Sequence, residues 1–172
     1  MKDFCEQAYS LGYEYEKKYH GCAQCVVAAV EDAFSVSFGS AFKAMTGFGG
    51  GGGGICSNGC GAYAGGIAVL SCLTGRDRTR FEDIDVSRTY ELTRKLHRRF
   101  IEKYGTIFCR DIMMKIFNRP FYTADPDDYL KFQEAGSYTD KCTDVVGLGA
   151  KWTAEIIIEC NLLPEKRADK TG

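Results

Sequence analysis

No stretch of the sequence contains the roughly twenty consecutive apolar residues that a membrane-spanning helix needs, so we predict no membrane span. The formal net charge of −1 gives no bulk attraction to nucleic acid or to an anionic membrane surface. The first eighteen residues, MKDFCEQAYSLGYEYEKK, are polar and lack the apolar core of a signal peptide. These absences lead us to expect a cytoplasmic protein that binds no nucleic acid.

Motifs for several common cofactor sites are also missing. There is no CxxCH motif, so covalently attached haem is not expected. No Gly-Lys-Ser/Thr follows the glycine-rich segment, which argues against a Walker-type nucleotide site. No internal repeat has a fixed period, and the short β-branched runs lie inside helical periodicity, so almost nothing predicts a strand.

What the sequence does contain is helical periodicity along most of its 172 residues. We predict an all-α fold, a compact bundle of six to eight helices with a glycine-rich loop before a central apolar helix. One domain spans residues 1–172, with a tail that frays from about residue 164. The predicted helices cover residues 3–19, 22–34, 61–75, 86–104, 109 to near 120, 125–135 and 142–160, and residues 40–46 form a short helix or a turn.

The glycine-rich segment GFGGGGGGICSNGCGAYAGG, residues 47–66, has seven glycines in its first eight positions. Ordering consecutive glycines is entropically expensive, and a flexible linker does not explain the cysteines that follow. Glycine lets the backbone approach a bulky group because it has no Cβ. We therefore predict a binding pocket here, with a phosphate cradle and a plain flexible loop as alternatives. The glycines that we expect to shape this pocket are Gly49, Gly50, Gly51, Gly61 and Gly65.

Nine cysteines are the one anomaly of the composition. In a reducing compartment an excess of cysteine favours metal binding or thiol redox chemistry over structural disulfides. Cys22, Cys60, Cys109 and Cys142 each lie at the start of a predicted helix, where unpaired N–H groups favour the thiolate. Four such positions could converge in a bundle as ligands of an iron–sulfur cluster or of zinc.

An ordered set of motifs carries a family resemblance. GCA at 21–23, GFGGG at 47–51, CGAYAG at 60–65, CRD at 109–111 and then Cys142 resemble the C_GCAxxG_C_C family of redox-active proteins. The family pattern consists of four separated cysteines and a CGAxxG element. Such a domain also looks similar to the C-terminal part of split-Soret cytochromes, which is linked with an iron–sulfur centre. The resemblance implies a redox role through a bound cluster.

Three further residues extend the candidate site. Cys25 forms CAQC with Cys22, and Cys56 precedes Cys60 by four residues, so both are additional candidate ligands. Arg110 follows Cys109 and could offset the charge of a thiolate or a cluster, or it could form a local capping pair with the next residue.

Two alternatives stay open beside the iron–sulfur hypothesis. A thiol–disulfide oxidoreductase would use Cys22 and Cys25, although the thioredoxin-type motif usually follows a strand and none is predicted here. A structural zinc-binding interaction module would use the four cysteines at the helix starts. The leading prediction is an iron–sulfur protein in electron transfer or redox sensing. We assign no catalytic residue, and we expect a redox partner protein and allow for a homodimer.

Overall fold

The computed structural model describes residues 2–163, and within that range it contains eight α-helices and no β-strands. The all-α prediction is therefore confirmed. The predicted tail from about residue 164 lies outside the described residues. In chain order the helices are α1 Lys2–Tyr19, α2 Cys22–Phe34, α3 Ala41–Ala44, α4 Gly61–Thr74, α5 Ser87–Tyr104, α6 Cys109–Phe117, α7 Pro126–Glu134 and α8 Cys142–Glu159.

Helix α8 lies at the centre of the bundle and packs against α1, α2, α4 and α5. Helix α5 presents to this core a stripe spaced by four residues, Leu92, Leu96, Phe100 and Tyr104, as its periodicity predicts. Each fully buried Leu or Phe side chain stabilises the fold by about 1.5–3 kcal/mol. The largest fully buried side chains include Phe100, Leu70, Leu92, Leu96, Ile156 and Ile157.

Helices α2 and α4 approach each other closely because α4 begins with small residues. A Cβ on Gly61 would overlap the sulfur of Cys22, and a Cβ on Gly65 would overlap the carbonyl oxygen of Ala23. Any larger side chain at either position would force the two helices apart. The glycines thereby hold the N-termini of α2 and α4 side by side.

The glycine-rich loop is folded onto itself and does not behave as a linker. Gly50, Gly51, Gly52, Gly53 and Gly54 all have positive φ, between 55° and 89°, a region that L-residues rarely occupy. Backbone N–H groups inside the turn donate to backbone oxygens, from residue 53 to residue 47 at 3.0 Å and from residue 56 to residue 50 at 2.9 Å. This run of left-handed residues explains why so many consecutive glycines are present.

A second, smaller hydrophobic cluster lies where α6 and α7 meet the glycine-rich loop. Its buried members are Cys56, Cys109, Met113, Phe121 and Phe132. Among residues 2–163, no helix is both long enough and apolar enough to cross a membrane.

Candidate functional site

Cys22, Cys60, Cys109 and Cys142 line one cavity with a volume of about 230 Å³. Three of them are the first residues of α2, α6 and α8, and Cys60 immediately precedes α4. Four positions that are far apart in the sequence thus meet where four helices begin. The other residues that line the cavity are Glu16, Gly21, Gly49, Gly50, Gly54, Ile112, Met113, Thr123, Phe132, Tyr138, Val145 and Val146.

Short backbone contacts hold the starts of α4 and α6 together. Gly59 and Phe108 form an isolated antiparallel bridge. The Cys60 N–H donates to the Ile107 carbonyl at 2.7 Å, and the Cys109 N–H donates to the Asn58 carbonyl at 3.0 Å. These contacts hold the backbones of Cys60 and Cys109 close to each other.

Burial controls the protonation of the cavity cysteines in the absence of a bound group. It raises the pKa of the Cys22 and Cys142 thiols well above the ordinary value. It also raises the pKa of Cys60 to about 11, although the N–H groups of Ala62 and Tyr63 lower it. Only at Cys60 do N–H groups of the residue's own helix start oppose this rise, and desolvation outweighs them. The free thiols are therefore neutral at pH 7.

Glu16 is a member of the cavity wall that sequence reasoning missed. Its side chain is only 3 % exposed, and its Oε2 atom has no hydrogen-bond partner. Burial raises the pKa of Glu16 to about 7, and a hydrogen bond with Cys25 opposes this. The sequence does contain a signal for this burial, because Ala8, Gly12 and Glu16 are spaced by four and therefore lie on one face of α1. Ala8 is buried in the core and Gly12 lies against α8, so the same face buries Glu16.

The two additional cysteines occupy different environments, and neither lines the cavity. Cys25 is buried, and its Sγ donates to the carbonyl oxygen of His20 at 3.1 Å. The His20 ring stacks on Tyr138, a residue of the cavity wall, with ring centroids 3.5 Å apart. Cys56 is buried beside Cys109, and hydrogen bonds from the Cys109 thiol and from Thr123 lower its pKa.

The predicted glycines contribute in different ways. Gly49 and Gly50 line the cavity. Gly51 lies against Cys56 and Cys109, Gly61 lies against Cys22, and Gly65 packs on the backbone of α2. Only the first two therefore form part of the wall, while the other three permit close packing around it.

Arg110 is not brought to the cavity wall. Its side chain is exposed, whereas its backbone N–H donates to the Cys56 carbonyl at 3.1 Å. Consecutive residues at a helix start point in different directions, so a neighbour of Cys109 in sequence need not share its environment. Arg110 thus contributes to the site through its backbone N–H and not through its guanidinium group.

In the part of the chain that the structure describes, no three His, Cys, Asp or Glu side chains converge as a ligand set for a single metal ion. The four cysteines instead surround a cavity far larger than the roughly 10–15 Å³ that one water molecule needs.

A family model described as "Putative redox-active protein (C_GCAxxG_C_C)" matches residues 20–156. The chain belongs to the C_GCAxxG_C_C family. The matched segment includes all four cavity cysteines and the glycine-rich loop, and it confirms the resemblance predicted from the motifs. Glu16 lies before the matched segment, on a helix that the family pattern does not cover. No curated protein and no solved structure matches the chain.

Proposed function

We propose that this member of the C_GCAxxG_C_C family is an iron–sulfur redox protein whose cluster is bound by Cys22, Cys60, Cys109 and Cys142. The observation that carries the proposal is that four cysteines from four helix starts line one cavity. Four cysteine thiolates are the common ligand set of [2Fe–2S] and [4Fe–4S] clusters. The redox-active description of the family agrees with this function.

The shape of the cavity supports a cluster. Gly49, Gly50 and Gly54 form part of the wall, and their lack of a Cβ leaves room for a bulky group beside the backbone. Ile112, Val145 and other apolar residues complete the wall and limit contact with water. A cavity of about 230 Å³ also exceeds what a single zinc ion would require, which supports the cluster over the zinc alternative.

Backbone N–H groups in the wall would stabilise a thiolate at Cys60, against the opposing effect of burial. The N–H groups of Ala62 and Tyr63 already lower the pKa of Cys60, and they would donate to its sulfur in the thiolate form. The buried thiols must lose their protons on binding, so uptake of the cluster would release protons. A bound cluster would supply reversible one-electron transfer, with a potential set by burial and by N–H bonds to sulfur.

The cysteine pair of the CAQC motif has less support as a catalytic dithiol. Only Cys22 lines the cavity, and the Cys25 thiol donates to the His20 carbonyl. No strand precedes α2 among the described residues, in contrast to the usual thioredoxin-type context. An electron-transfer role implies a redox partner protein, as the sequence also led us to expect.

The direct test is metal and sulfide analysis of protein purified without oxygen. We expect a brown protein with iron matched by acid-labile sulfide, and with a broad visible absorption that reductant bleaches. A colourless protein that contains zinc would support the structural alternative. A protein that takes up neither iron nor sulfide after anaerobic reconstitution would contradict the proposal.

A further inference from the structure

Cys56 and Cys109 lie within reach of each other across the glycine-rich loop. The position that a Cβ on Gly51 would occupy is 2.6 Å from the Cys109 Cβ and 2.8 Å from the Cys56 Cα. The Cys109 Cβ and the Cys56 Cα are therefore at most about 5.4 Å apart, the sum of these two distances. Residues joined by a disulfide have a comparable spacing. Both residues are buried members of the same small hydrophobic cluster.

Backbone contacts maintain this proximity without a bond between the sulfurs. The Arg110 N–H donates to the Cys56 carbonyl at 3.1 Å, and the Cys109 N–H donates to the Asn58 carbonyl at 3.0 Å. Cys56 itself adopts a left-handed conformation with φ of 57°. Two cysteines held this way can be joined with little movement of the backbone.

Cys109 belongs to two sets of residues at once. It lines the cavity with the other three cysteines, and it is buried in the small hydrophobic cluster with Cys56 and Met113. Cys56 does not line the cavity. A bond between Cys56 and Cys109 would therefore remove one sulfur from the four that face the cavity.

We propose that Cys56 and Cys109 form a peroxide-sensitive dithiol, oxidised to a disulfide by hydrogen peroxide when the cavity holds no cluster. One of the two sulfurs attacks a peroxide oxygen, the O–O bond breaks, a sulfenic acid forms on that sulfur, and one water is released. The other sulfur then attacks the sulfenic sulfur, the S–O bond breaks, and a second water is released. Two thiols lose two electrons and two protons, and one peroxide becomes two waters.

The consequence for the cavity rests on the proposed function. With Cys109 in a disulfide, only Cys22, Cys60 and Cys142 would remain as thiol ligands, so cluster assembly would stop until a reductant cleaves the bond. A bound cluster would in turn protect Cys109 from oxidation. The pair would thus couple occupancy of the site to the peroxide level.

Peptide mapping of the full chain tests the disulfide itself. Metal-free, reduced protein is treated with one equivalent of hydrogen peroxide, alkylated and digested with trypsin without reductant. Cys109 is the sole cysteine of the tryptic peptide 104–110, and Cys56 lies in the peptide 44–76. We expect these two peptides to be linked, with fragment ions that assign the bond to Cys56, and to separate after reduction.

Two variants sharpen the test. Cys56→Ser should lose the link, whereas Cys72→Ser, an exposed position in the same tryptic peptide, should retain it. If Cys56→Ser does not fold, the fragment-ion assignment in the wild-type protein decides alone. Cys109 left free to alkylate, or linked to any other cysteine, would overturn the proposal.

Cluster reconstitution separates this proposal from the proposed function. Oxidised wild-type protein should lose most of its uptake of iron and sulfide and regain it after reduction, and Cys56→Ser should be insensitive to the same peroxide treatment. If the reduced protein forms no cluster, the proposed function fails, but peptide mapping by mass spectrometry still tests the disulfide. If clusters form but no Cys56–Cys109 bond appears, the disulfide proposal alone fails.

Discussion

Gly61 lies directly against the sulfur of Cys22, so close that a Cβ at residue 61 would overlap it. These residues are the first of α4 and of α2, and their contact sets the distance between two of the four helix starts around the cavity. The glycine of the CGA motif therefore has a packing role that is specific to the neighbouring cysteine.

Replacement of this glycine should disturb the cavity. We expect Gly61→Ala to displace Cys22, to destabilise the metal-free protein by about 1–3 kcal/mol, and to lower its iron content after reconstitution. Denaturant unfolding and iron analysis measure the two effects. Gly47→Ala is a suitable control, because a Cβ at residue 47 meets no atom within 4 Å. Equal behaviour of the two variants would show that the contact does not matter.

Glu16 should make the metal-free protein less stable as the pH rises. Its pKa is about 7 in the folded protein, above its ordinary value of 4.5, so the folded state binds the proton more tightly than the unfolded chain. The cost of ionising the buried carboxyl is absent below about pH 4.5 and complete above about pH 7, reaching up to about 3 kcal/mol.

Glu16→Gln tests this dependence because it keeps the shape and removes the charge. The loss of stability between pH 5 and pH 7.5, measured by urea unfolding under reductant, should be smaller in this variant than in the wild type. Glu14→Gln, at an exposed position on the same helix, should behave as the wild type does. An unchanged pH dependence in Glu16→Gln would show that this carboxyl is not the source.

Thr123 should control the reactivity of Cys56 in the metal-free protein. Its hydroxyl lies 3.0 Å from the Gly54 carbonyl oxygen and 3.8 Å from the Cys56 sulfur, so its single proton can be donated to either. Hydrogen bonds from Cys109 and, to a smaller extent, from the N–H and the hydroxyl of Thr123 lower the pKa of Cys56. We expect Thr123→Val to raise that pKa and to slow alkylation of Cys56 by iodoacetamide at pH 7, as followed by mass spectrometry. Thr123→Ser keeps the hydroxyl and should restore the rate. If Thr123→Val and the wild type react equally fast, the hydroxyl has no such role.

Much of the scaffold follows from local sequence. Gly21 adopts φ of 86° immediately before α2, and Asp125 caps α7 by accepting from the Asp128 N–H at 2.9 Å, both at positions where the sequence predicts a helix to begin. The stripe of α5 is buried as its spacing of four requires. Local periodicity and capping chemistry were therefore enough to place the cysteines at helix starts.

The features that could not be predicted depend on packing between distant segments. Glu16 is buried because α8 covers α1, and Cys56 lies beside Cys109 because the bridge between Gly59 and Phe108 joins the loop to α6. The high pKa of the Cys60 thiol also reflects burial by the whole bundle, which outweighs the helix start that sequence alone reveals.

The most direct test of the central claim is iron and sulfide analysis after anaerobic reconstitution of single cysteine variants. Each of four serine substitutions should abolish the cluster or change its spectrum, because each removes one thiolate from the cavity wall. The four positions are Cys22, Cys60, Cys109 and Cys142. Cys72→Ser, at an exposed position, should bind as much iron as the wild type. Full cluster content in any one of the four variants, with an unchanged spectrum, would contradict the four-cysteine site.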